Sequence, residues 1–294
     1  METLLRVLAA LPLAWVHRLG TLAGWLTYGG SPTYRRRFRA QVAQAGVAPA
    51  DARAAVGAAG RMVAELPRLW RHGVAGVPLR CEGTALVDAA VAAGRGIVFL
   101  TPHLGCFEIT AQAYAARWGD RQPITVLYRP ARQAWLRAWV SGARDRPGLT
   151  AVPADLSGVR GMLRALRRGQ AVGLLPDQVP PEGMGVWAPF FGRPAYTMTL
   201  AARLVQQSGA QPILVWGERL PGGAGYVVRF EAFDEVLPAE VEAQAESAAA
   251  VNRAMERLIR ACPGQYLWGY HRYKAPRQAG PAPAAAAAAA PPAD

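Results

Sequence analysis

The chain has four histidines, His17, His72, His103 and His271. Only His103 stands where catalysis is expected. It follows Gly94-Arg95-Gly96-Ile97-Val98-Phe99-Leu100-Thr101-Pro102 and precedes Leu104-Gly105-Cys106-Phe107-Glu108. The first stretch is β-branched and aromatic between Gly and Pro, which predicts a buried strand. In α/β proteins, ligands and catalytic groups gather beyond the carboxyl ends of such strands. Glu108 lies five residues on, in the predicted first turn of the next helix, where its carboxylate can reach one imidazole nitrogen. That contact would fix the tautomer and stabilise the imidazolium, and the other nitrogen would take a proton from a hydroxyl. The pair therefore reads as a general base working without a protein nucleophile. Three other readings stay open at this point. Cys106 could be a thiol nucleophile with His103 as its base. His103 and Glu108 could be metal ligands, although no third ligand is near and helical metal motifs use i, i+4 spacing. His103 could also be a satisfied structural histidine.

The elements that must hold these residues are legible as alternating patterns. Helices are predicted over 108–117, 135–143, 159–168 (closed by Gly169), 197–207 and 239–261, and an Ala-rich helical stretch over 41–78 ends near Gly73. Strands are predicted over 124–128, 171–175, 212–216 and 226–230. This alternation predicts an α/β fold with a mixed, mostly parallel sheet flanked by helices. Residues 1–30 are apolar and aromatic, with Trp15, Trp25 and Tyr28, yet Arg6, Pro12, His17 and Arg18 interrupt them. A membrane-associated helix, lying on the bilayer or marginally spanning it, fits better than a signal peptide or a clean span. The organisation expected is an N-terminal membrane-associated helix over 1–30, one catalytic domain over 31–278, and a disordered Ala/Pro tail over 279–294.

Charge narrows the partners. The 294 residues carry 33 basic and 20 acidic side chains, a net charge of +13, and Lys274 is the sole lysine. Residues 1–80 and 121–168 each hold a net +8, while 81–120 and 169–294 are slightly acidic. The first basic block includes Tyr34-Arg35-Arg36-Arg37-Phe38-Arg39, beside the apolar N-terminus, as an anionic leaflet favours. Hydrophobic residues make up 52% of the chain, which excludes a mostly disordered protein. No helix-turn-helix, zinc or RNA-binding signature accompanies the basic charge, so nucleic acid is not expected as a partner. Three scattered cysteines, Cys81, Cys106 and Cys262, make no CxxC spacing and favour a reducing compartment.

His103-Leu104-Gly105-Cys106-Phe107-Glu108 resembles the His-x4-Asp/Glu motif of glycerolipid acyltransferases. Tyr128-Arg129-Pro130 with Gly142-Ala143-Arg144 is similar to a second block of the bacterial lipid A late acyltransferases. Leu175-Pro176-Asp177-Gln178 with Val186 to Gly192 is similar to a third, and Pro263-Gly264-Gln265-Tyr266-Leu267-Trp268 with His271-Arg272-Tyr273-Lys274 to a C-terminal signature. The resemblance runs in order over residues 5–276. It implies an O-acyltransferase at the cytoplasmic face of a bacterial inner membrane. The donor would be an acyl thioester on acyl carrier protein, and the acceptor a hydroxyl of a phosphorylated lipid A precursor. Another membrane glycolipid acceptor, or thioester hydrolysis, is the alternative. On this resemblance His103, Glu108 and Arg144 are catalytic, and Tyr128, Arg129, Asp177, Gln178 and Arg193 bind substrate. No metal or organic cofactor is implied, since a thioester is already activated. Trp135, Trp139, Phe190 and Phe191 are candidates for lining an acyl cleft. Backbone N–H groups at the helix start after His103, or Arg144, are candidates for the oxyanion.

Overall fold

The computed structural model describes residues 2–128, 146–238, 240 and 242–276. The N-terminal segment is two helices, α1 (Glu2–Ala10) and α2 (Leu13–Gly30), rather than the single helix expected over 1–30. Pro12 lies between them; it lacks the N–H that a continuing helix needs. Among the described residues no helix is long and apolar enough to cross a membrane. α3 (Pro32–Gln44), α4 (Pro49–Ala64) and α5 (Leu66–His72) follow, so the helical stretch expected over 41–78 is broken in three. α2 packs closely on α4 because glycines face each other: a Cβ on Gly60 would collide with the Gly20 carbonyl. The opposite face of α2 leaves Trp15, Leu19, Leu22, Trp25 and Leu26 exposed.

The remaining elements run β1 (Leu79–Glu82), α6 (Thr84–Ala93), β2 (Ile97–Leu100), α7 (Phe107–Trp118), β3 (Ile124–Tyr128), β4 (Leu149–Pro153), α8 (Leu156–Arg167), β5 (Ala171–Leu174), β6 (Gly185–Phe190), β7 (Arg193–Met198), α9 (Leu200–Ser208), β8 (Gln211–Arg219), β9 (Tyr226–Ala232) and α10 (Gln244–Ala261). Seven strands form one sheet in the order β1-β9-β8-β2-β5-β3-β4. Every neighbouring pair is parallel except β8 with β9. The mixed, mostly parallel α/β architecture expected from the alternation is present. β6 and β7 form a separate hairpin that the alternation did not indicate, and it claims Thr197, which the sequence pattern assigned to a helix.

The sheet divides two cores. On β2, Val98 and Leu100 point into one core with Val172, Leu174 and Trp216. Ile97 and Phe99 point into the other with Ile109, Tyr114, Val215 and Phe230. This period-2 split of an unbroken apolar run is what a strand covered on both faces requires.

Candidate active site

β2 and β5 are parallel neighbours with Leu100 opposite Leu174. Each strand continues with the same spacing, Leu100-Thr101-Pro102-His103 and Leu174-Leu175-Pro176-Asp177. In matched register, residues three past each strand end emerge side by side. His103 Nδ1 lies 2.8 Å from Asp177 Oδ1, and the His103 backbone N–H donates to Asp177 Oδ2 at 2.9 Å. Both carboxylate oxygens are thus committed to one residue. Asp177 is buried and His103 mostly so. Burial by itself would raise the Asp177 pKa. The attraction of the His103 ring and its two hydrogen bonds outweigh this and hold the carboxyl below its usual value. With Asp177 ionised, Nδ1 must be the donor, which leaves the lone pair on Nε2. Gln178 Nε2 donates to that atom at 3.0 Å.

The carboxylate that orients His103 is therefore Asp177, not Glu108 as the five-residue spacing suggested. The physical reason is register. A turn of unknown shape does not fix where the next helix points its first side chains, whereas paired parallel strands fix their ends. Glu108 accepts from Trp70 Nε1 at 2.9 Å instead, with its backbone in the first turn of α7. Phe107, one residue earlier, sets its ring 5.0 Å from the His103 ring. Tyr128 ends β3 on the same edge of the sheet. Arg193 begins β7, exposed, with its guanidinium 4.8 Å above the Tyr273 ring. Arg129 and Arg144, like Trp135 and Trp139, lie outside the described residues.

The loop between β2 and α7 is tightly bound. Leu104 N–H donates to Pro102 O, Gly105 N–H to Gln265 O at 3.1 Å and Cys106 N–H to Gly217 O at 2.7 Å, while His103 O accepts from Leu267 N–H at 3.1 Å. These amides are consumed by the fold, so they are not oxyanion donors. In the first turn of α7, Ile109 N–H is taken in the same way, by Cys106 O at 3.3 Å, and Phe107 carries the first amide of that helix end. Gly105 has φ +56°, and a Cβ there would strike the Gly217 carbonyl. Gly105→Ala is expected to cost about 1–3 kcal/mol in chemical denaturation, through left-handed strain and the lost close approach. An unchanged midpoint would show that the loop tolerates displacement.

Cys106 is 1% exposed, and burial beside the Glu65 carboxylate pushes its thiol pKa well above the usual range. A thiol that resists ionisation is a poor nucleophile. Cys106→Ser is expected to keep acyl transfer within a few-fold of wild type, and complete loss in a folded variant would restore the thiol route.

An apolar cavity opens beside this loop. It is narrow, about 80 Å³, and lies between α7 and β2, β3 and β5. Thr101, Phe107, Glu108 and Leu175 line it next to the β2–α7 loop, and Phe99, Tyr114, Leu127 and Phe230 are among its other walls. Phe190 and Phe191 do not line it. They are buried in the opposite core with Trp268, so their apolar character serves packing. Trp70 was missed by sequence reading because nothing local marks an indole 38 positions away as a partner of Glu108. The family resemblance implies substrate binding for Asp177, and the structure shows its carboxylate bonded to His103. The repeated Leu-x-Pro-x spacing was the signal that pairs it with His103.

A sequence profile described as bacterial lipid A biosynthesis acyltransferase matches residues 2–275. The lipid A biosynthesis lauroyltransferase of Escherichia coli (strain K12) is 30% identical over 187 residues, covering 61% of this chain and 55% of that protein. The lipid A biosynthesis palmitoleoyltransferase of the same strain is 28% identical over 194 residues, covering 66% and 60%. A lipid A biosynthesis acyltransferase of Shigella flexneri matches to the same extent as the palmitoleoyltransferase. The matches span 55–60% of the length of these relatives. With the profile match running almost end to end, the chain belongs to the bacterial lipid A biosynthesis acyltransferase family.

Proposed function

We propose that this protein transfers a fatty acyl chain from an acyl carrier protein thioester to a hydroxyl of a lipid A precursor. The observation that carries this reading is the His103–Asp177 pair, held by two strand ends whose neighbouring residues Thr101, Phe107 and Leu175 line an apolar cavity. The acyl chain occupies the cavity, which places the thioester carbonyl at its mouth. The acceptor hydroxyl displaces the Gln178 amide from His103 Nε2 and gives its proton to that nitrogen as the oxygen attacks the carbonyl carbon. Asp177 stabilises the imidazolium so formed. Collapse of the tetrahedral intermediate breaks the C–S bond, and Nε2 returns the proton to the departing thiolate. The Phe107 amide at the start of α7 and Arg144 are the proposed oxyanion donors. Glu108, anchored by Trp70 and lining the cavity, is the acidic member of the His-x4-Glu motif and is proposed to orient the substrates together with Arg144. Tyr128, Arg129 and Arg193 are proposed contacts for the phosphorylated acceptor.

Two surfaces support the partners. α8 carries exposed Arg160, Arg164 and Arg167 at helical spacing, with no acidic residue among Leu156–Arg167, and Leu156 at its start is also exposed. A basic stripe with an apolar end suits the acidic surface of a carrier protein. On the other side, the exposed Trp15, Leu19, Leu22, Trp25 and Leu26 of α2 form one stripe at helical spacing, followed by the arginines of α3. The stripe suits a helix lying in an anionic bilayer interface. Leu22→Asp/Leu26→Asp is expected to lower the protein's partitioning onto anionic vesicles at least tenfold in a sedimentation assay while leaving the melting curve unchanged. Equal partitioning would assign the membrane contact elsewhere.

The function is tested with purified protein in detergent, given labelled acyl-carrier thioester with and without a tetra-acylated lipid A precursor. Labelled lipid is expected. Free fatty acid alone would indicate a thioesterase, and label on a different glycolipid another acceptor.

A further inference from the structure

Beneath the His103 loop lies a cluster of charged groups that the acyl-transfer steps do not use. Arg219 is 4% exposed and Glu65 is 1% exposed. Arg219 holds the carboxylate with both arms of its fork, Nε to Oε2 at 2.9 Å and Nη2 to Oε1 at 2.7 Å. The same Nη2 also donates to the Gly105 carbonyl at 2.6 Å. Tyr226 donates to Glu65 Oε2 at 2.9 Å, and His17 Nε2 of α2 lies 3.3 Å from that oxygen. Gln265 closes a ring. Its side chain accepts from Arg219 N–H and donates to Arg219 O, both at 3.0 Å, and its own carbonyl takes the Gly105 N–H.

A buried ion pair is a poor way to gain stability, because desolvation offsets most of the attraction and apolar pairs of the same volume often do as well. What an apolar pair could not supply is a directed donor to the Gly105 carbonyl. Lysine in place of Arg219 would keep the charge but offer one nitrogen where the planar fork engages a carboxylate and a carbonyl together. Gly105 is the left-handed residue of the loop, two positions from His103, so its carbonyl direction sets how the loop turns out of β2.

We propose that Arg219, held by Glu65, is a positioning residue for acyl transfer: its contact with the Gly105 carbonyl fixes the angle at which His103 meets the acceptor hydroxyl. This rests on His103 being the reacting base. The pair also joins the helix that carries the exposed apolar stripe, through His17, to the catalytic loop.

The test is the double variant Glu65→Gln/Arg219→Met, which removes both charges together and leaves an acceptor for Tyr226. It is expected to fold, by circular dichroism, and to lower kcat at least tenfold while KM for the acyl thioester stays within twofold. Loss of packing alone predicts wild-type kcat once folding is retained, and that result would overturn the proposal. Should the double variant not fold, Arg219→Lys decides, since it keeps the buried charges paired. A tenfold fall in kcat supports the positioning role, and a wild-type kcat overturns it. If the wild-type protein transfers no acyl chain, the functional reading fails separately. The loop is then read from the carbethoxylation rate of His103 with diethyl pyrocarbonate, followed by peptide mass. At least threefold faster labelling in these variants supports the proposal, and an unchanged rate overturns it.

Discussion

Asp177→Asn and His103→Ala are each expected to lower acyl transfer by about 10²–10⁴-fold at saturating thioester, with the protein still folded. The two losses have different causes. Alanine at 103 removes the nitrogen that takes the hydroxyl proton. Asparagine at 177 keeps the shape but turns an acceptor into a donor, so Nδ1 would be recruited as the acceptor and the proton would move to Nε2. The imidazole would then present N–H to the acceptor hydroxyl where a lone pair is required. Because both changes disable one unit, the double variant should be hardly slower than the worse single one. Rates that multiply would mean that the two residues act separately. A wild-type rate in His103→Ala would remove the proposed base altogether. Glu108→Ala is a separate matter: with Trp70 and not His103 as its bonded partner, its loss should leave the orientation of the imidazole intact.

Glu65→Ala is expected to destabilise the fold by about 3–5 kcal/mol in denaturant titration, because it strands the buried Arg219 guanidinium. That is a large share of the 5–15 kcal/mol by which domains are typically stable. The same residue predicts a pH dependence. Burial would raise the Glu65 pKa, but the Arg219 charge and its hydrogen bonds, with His17, win and lower it to about 2. A group whose folded pKa is depressed contributes stability that is complete above its unfolded value, near 4.3, and is lost as pH falls through the folded value. Wild-type stability should therefore decline by about 3 kcal/mol between roughly pH 5 and pH 2 on account of this group. In Glu65→Gln that component of the decline should vanish. Parallel acid curves for the two proteins would place the titrating group elsewhere.

These expectations separate what the chain determines locally from what its folding decides. The apolar run Ile97–Leu100, the helix after His103 and the strand Ala171–Leu174 are written in side-chain patterning, and the structure has them within a residue or two. Patterning suffices there because burial on both sheet faces and helical capping are properties of consecutive residues. β1, β4 and the β6–β7 hairpin were not read. β1 is only half-buried, and β6 carries Pro189 and is half-buried over its first three residues, so neither shows a clean period.

His103 was legible as a catalytic candidate from its place after a buried strand, and Asp177 and Gln178 were legible as neighbours of the site. That Asp177 holds the imidazole was not legible, because it depends on β5 lying beside β2 in one particular register. Glu65 and Arg219 are separated by 154 positions and carry no local mark. A buried ion pair exists only once four elements have closed around it. Sequence alone marked His103 as a candidate proton acceptor and Ile97–Leu100 as the strand that presents it. The tertiary structure decided which carboxylate serves the histidine, since parallel register brings two strand ends together with a certainty that spacing across a turn does not have.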